Sequence, residues 1–68
     1  MAAHTYHTRI AGVDVFVDVH PGGKPNGPCP PYWGRLVVGN VVTHADDVSE
    51  RLRDVLAIHI DKGWAKLV

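Results

Sequence analysis

Along residues 13–20, "VDVFVDVH", apolar and polar side chains alternate without a break. Val13, Val15, Val17 and Val19 fall on one face of an extended chain; Asp14, Phe16, Asp18 and His20 fall on the other. This period of two predicts a strand with one buried face and one at least partly wet. Before it, "HTYHTRIA" carries threonine, tyrosine and isoleucine, which favour extended geometry and predict a first strand over residues 4–11. Gly12 supplies a turn or bulge position between the two. A third apolar stretch, "RLVVGNVVT", spans residues 35–43. Gly39-Asn40 between apolar pairs is a hairpin signal, and Gly39 alone is also a bulge signal. Four-residue arms make a weak hairpin, so a single bent strand is the preferred expectation.

The pattern then changes to a helical period, predicting a helix from about residue 44 to 62. Thr43 is the expected N-cap, with Asp46 and Asp47 in the first turn, where the helix dipole favours them. Asp47–Arg51 and Glu50–Arg53 have pairing distance along the helix. Lys62 falls in the last turn and Gly63 is the expected C′ residue, which places Trp64 over the helix end near His59 or Ile60. Ala45, Val48, Leu52, Val55, Leu56 and His59 share one side, with Ile60 at its border. The expected fold is α+β, in the order β-β-β-α. A small antiparallel sheet of three strands, or four if Gly39-Asn40 turns, carries one C-terminal helix on one face. One helix covers one face only. The other face, with Phe16 and either Tyr6 or His7, must meet solvent, a loop or another subunit.

Residues 20–34, "HPGGKPNGPCPPYWG", hold all five prolines and four of the seven glycines. The first half is turn chemistry and predicts a connector. The second half is stiff and ends in Tyr32 and Trp33, residue types enriched at binding hot spots. Trp33 is expected either to plug a core that needs every large apolar group or to form a recognition edge. Pro25, Pro28 and Pro31 have the spacing of polyproline II ligands, but "PPYW" lacks the Pro-Pro-x-Tyr spacing.

Composition narrows the picture. Sixty-eight residues make a single domain. Cys29 is the only cysteine, which excludes an intrachain disulfide and fits a reducing compartment. Seven basic and seven acidic side chains cancel. That balance argues against broad phosphate neutralisation on nucleic acid and against an anionic membrane, and it favours self-association. No apolar run is long enough to span a membrane, and "MAAHTYHTRI" does not read as a signal peptide, so a cytoplasmic protein is expected. The valine, alanine, aspartate and glycine bias is compatible with a GC-rich genome and a phage-encoded or accessory protein.

The chemistry-bearing residues do not assemble into a catalytic pattern. His4 and His7 are three apart on a strand and point to opposite faces, so a metal site with His20 and Cys29 is not expected. Cys29 between two prolines has no base or helix N-terminus to activate it. Asp14 and Asp18 are roughly 13 Å apart along a strand, too far to cooperate. His59 is expected as a core-edge histidine, hydrogen-bonded or packed under Trp64; the functional alternative is a pH-sensitive interface contact.

The segment "VVTHADDVSERLRDVLAIHI" resembles the strand-to-helix step of HicB-type antitoxins. The resemblance implies a small sheet packed on helices and a protein that neutralises a toxin ribonuclease by binding it. It covers only this segment. "PCPPYWGRLVVGN" stands where that family has a Pro-Asp-Leu-Pro-Gly-type stretch, and no DNA-binding tail follows. Taken together, the residues lead to the expectation of a non-enzymatic interaction module without cofactor or metal. It would bind a partner protein, itself as a homodimer, or both, through Phe16, Tyr32 and Trp33 with His7 and His20 as polar neighbours. One alternative is an antitoxin-like regulator that binds nucleic acid, although Arg9, Arg35, Arg51, Arg53 and Lys62 form no single stripe. A second is a histidine-based metal-binding protein.

Overall fold

The computed structural model describes residues 3–22 and 31–68. Cys29, Pro25 and Pro28, and with them the polyproline spacing, lie outside the described residues. Five strands form one antiparallel sheet: β1 (His4–Ile10), β2 (Val13–His20), β3 (Tyr32–Val38), β4 (Val41–His44) and β5 (Lys66–Leu67). Their spatial order is β4-β3-β2-β1-β5. A 3-10 turn (Ala45–Asp47) and the helix α1 (Glu50–Asp61) lie between β4 and β5. The α+β class and the single helix near the C-terminus agree with the expectation, with more strands than the three or four expected.

Two tight turns of the sheet have local causes. β1 and β2 are joined by Ala11-Gly12, both at positive φ (51° and 78°), as a type I′ turn requires. At Gly39 φ is 64° and Asn40 is not in the left-handed region, so one glycine at the first turn position suffices for a II′-like hairpin. Gly39-Asn40 is therefore a turn and not a bulge in one strand; β3 and β4 pair from Val38↔Val41 to Arg35↔His44. β5 is only two residues long and exists through its pairing with Tyr6 and His7 of β1.

The helix starts later than expected. Thr43 stays in β4, and His44 caps the 3-10 turn by accepting from the Asp46 amide. Val48 and Ser49 are extended, and the Ser49 hydroxyl accepts from the Leu52 amide as the true N-cap of α1. Two capping side chains five residues apart thus make two short helical pieces where one long helix was expected. Asp47 falls outside α1, and neither Asp47–Arg51 nor Glu50–Arg53 is among the ion pairs of the described residues. The other end follows the expectation. Gly63 sits at φ 78°; its amide bonds Ile60 O at 3.2 Å and the Trp64 amide bonds His59 O at 2.9 Å. This is the Schellman pattern, with Trp64 at C″ set edge-on to His59 at a ring separation of 5.3 Å.

Val15, Val17, Leu36 and Leu56 are fully buried between sheet and helix. Tyr6, Ile10, Val19, Trp33, Val38, Val48, Leu52 and Ile60 pack around them. Among the described residues one polar residue is fully buried on this side. Thr8 is buried, and its hydroxyl is hydrogen-bonded to Nδ1 of His59 at 2.6 Å. His59 is thus a core-edge residue fixed from below by Thr8 and flanked by Trp64. No helix among the described residues is long and apolar enough to cross a membrane.

Candidate interaction surface

The register defines the face that α1 leaves uncovered. Reading across β4, β3, β2, β1 and β5, Val42 stands beside Val37, Val37 beside Phe16, Phe16 beside His7, and His7 beside Lys66. The row is apolar from the β4 edge to the sheet centre and polar beyond it. Val42 is 65% exposed, while Phe16 and Val37 are half-buried. The imidazole of His7 lies on the Phe16 ring, centroids 4.6 Å apart at 27°.

The charges on this face are paired within it. His7 Nε2 lies 3.0 Å and Arg9 Nε 3.3 Å from the same Asp14 oxygen. The hydrogen bond from His7, then that from Arg9, holds the Asp14 carboxyl below its usual range. Asp18 accepts from the Thr5 hydroxyl at 2.8 Å and faces Arg35 Nε at 3.5 Å. Each carboxylate of the strand therefore has a hydroxyl, imidazole or guanidinium partner from its neighbours in the sheet.

A second aromatic pair lies at the far end of the same face. His20 and Tyr32 are cross-strand neighbours with rings nearly parallel, 6° apart in plane and 4.6 Å in centroid. Gly34 makes room for them: a Cβ there would stand 2.8 Å from His20 Nε2. The pairing of β2 with β3 shifts between Val17↔Leu36 and Val19↔Trp33, so Gly34 and Arg35 together oppose Asp18. This extra residue turns Tyr32 to the uncovered face and Trp33 to the helix side. Without it Trp33 would lie beside Phe16's face of the sheet.

The five residues singled out from the sequence thus divide. His7 stacks with Phe16, and His20 with Tyr32, on one face. Trp33 belongs to the other side, half-buried against the core, where it walls two clefts at once. Asp14 and Asp18, placed on this face by the alternation of β2, are joined there by Val37, Val42, Thr5 and Arg35, which only strand register reveals. Of the residues weighed as basic candidates, Arg9 and Arg35 are taken up by Asp14 and Asp18. Among the described residues no three His, Cys, Asp or Glu side chains converge as metal ligands.

No protein-family model, no curated protein and no solved structure matches this sequence.

Proposed function

We propose that this protein is a non-enzymatic interaction module whose uncovered sheet face and β4 edge pack against another polypeptide, first of all a second copy of itself. The supporting observation is the Val42–Val37–Phe16 row, which runs to an uncovered edge of the sheet. Sheet edges normally carry a lysine, a proline, an inward charge or a bulge to prevent pairing. β4, "VVTH", has none of these and is guarded only by its length of four residues, and its Val41 and Val42 are 62% and 65% exposed. A zero net charge removes the general repulsion between copies. Antiparallel pairing of two β4 edges would continue the sheet across both copies and join their apolar rows. A second protein with a strand to add uses the same edge chemistry.

Phosphate is the weaker counterpart for this face, because its two arginines already meet carboxylates. The test is light scattering on size-exclusion fractions over a concentration series of wild type, Val42→Lys and Phe16→Asp. The wild type is expected at the mass of a dimer at the upper concentrations, with both variants at that of a monomer. Monomer mass for the wild type throughout, combined with identical partner capture by wild type and Phe16→Asp, would overturn the reading.

A further inference from the structure

On the helix side of the sheet, where β1 begins and β2 ends, a cleft of about 290 Å³ opens beside the C-terminal half of α1. Strand register builds its floor and flanks. Val19 has Trp33 of β3 as its cross-strand neighbour on one side; on the other stands Tyr6, paired with Val17. Only β2 separates β1 from β3, so the two aromatic residues rise about 10 Å apart across the sheet, with Val19 between them. Ala57, Ile60 and Asp61 of α1 form the opposite wall. Tyr6 and Trp33 are half-buried, so each packs against the core and still presents surface to the cleft.

The walls carry charge of one sign. None of the lining residues is basic, and Asp61 supplies the only carboxylate. It is the last residue of α1, where the negative end of the helix dipole disfavours an acidic side chain. It is exposed, and no ion pair reaches it among the described residues. Lys62 follows it in sequence but does not line the cleft. The π-systems of tyrosine and tryptophan add their own attraction for positive charge. Apolar walls in a negative field complement a cation whose own surface is apolar.

We infer that this cleft binds the methylated ammonium head of a small organic cation of the choline type. A quaternary nitrogen spreads its charge over methyl groups and donates no hydrogen bond, so apolar walls leave it no unmet donor. A primary ammonium would give up hydrogen bonds to water that Val19, Ala57 and Ile60 cannot replace. Tyr6 and Trp33 hold the methyl groups by dispersion and cation–π attraction, and Asp61 faces the charge from the rim. The volume suits a head group on a short chain, which selects a free small molecule over a methylated lysine within a polypeptide. The cleft lies on the opposite side of the sheet from the Val42–Phe16 row and does not depend on self-association.

The test follows the indole N–H resonances of the labelled full-length protein as ligands are added, with Trp64, which lies outside the cleft, as internal reference. Choline is expected to move the Trp33 resonance to saturation at roughly millimolar concentration and to leave Trp64 in place. The neutral carbon isostere of choline, with a tert-butyl group for the trimethylammonium, should bind about tenfold more weakly, and so should ethanolamine. Asp61→Asn changes an exposed residue at the helix end, so the fold is expected to stand, and choline affinity should fall about threefold. A Trp33 resonance that choline does not move, an isostere equal to choline, or unchanged affinity in Asp61→Asn would each overturn the inference. So would a trimethyl-lysine peptide that binds more tightly than choline, by assigning the cleft to a polypeptide.

Discussion

The two faces of the sheet are built from the same strands by different physics. On the helix side, Val15, Val17, Leu36 and Leu56 exclude water, and the buried Thr8 is locked on His59. On the uncovered side, Phe16 and Val37 are only half-buried. Order comes instead from stacked rings, His7 on Phe16 and His20 on Tyr32, and from Asp14 and Asp18 held by cross-strand donors. The first side is where so small a protein obtains its stability. The second is ordered without being sealed. A mere solvent face needs neither Phe16 at its centre nor a glycine cleared for a histidine–tyrosine stack.

Substitutions that split the two sides sharpen this contrast. Leu56→Ala empties a fully buried site and is expected to cost about 2–5 kcal/mol. Chemical denaturation reads it, and a loss of that size removes much of the stability of so small a domain. Val37→Thr, at the centre of the uncovered row, should cost about 1 kcal/mol in the same assay. Equal losses at the two positions would erase the distinction between the faces.

Thr8→Val tests the polar pair within the covered side. It keeps the shape, removes the partner of His59 Nδ1 and should cost about 1 kcal/mol. The smallest effect belongs to Asp14. Its folded-state proton affinity is depressed, so its contribution is complete above the ordinary carboxyl value of 3.8 and is lost as pH falls through the lower folded value. Between about pH 5 and pH 2 the wild type should lose melting temperature more steeply than Asp14→Asn. Parallel curves would mean that the His7 and Arg9 contacts do not hold in solution.

The covered side was largely legible in the sequence. Four valines at a spacing of two, an apolar helical stripe, and Gly63 followed by Trp64 each state a local rule that the fold obeys. The helix start was less so, because His44 and Ser49 both cap and local chemistry does not rank them. The Gly39-Asn40 signal fits a hairpin or a bulge equally in the sequence, because the stability of a short hairpin comes from the rest of the sheet. β5 has no signal of its own, being two residues held by β1. The uncovered face depends on register and on one extra residue at Gly34-Arg35. Tyr32 and Trp33 stand out in the sequence as a pair, and that extra residue sends them to opposite sides.

The proposed contact of the uncovered side and its β4 edge with another polypeptide is reported most directly by the amide of Val42. In a two-residue hairpin closed by Val38↔Val41, Val42 sits at a non-hydrogen-bonded pair, so its amide points away from β3 toward the open edge. Hydrogen exchange at that amide, followed over a dilution series, should be slow in concentrated protein and approach the rate of an open amide as the copies separate. Exchange at the open rate at every concentration, with or without an added protein partner, would contradict the account.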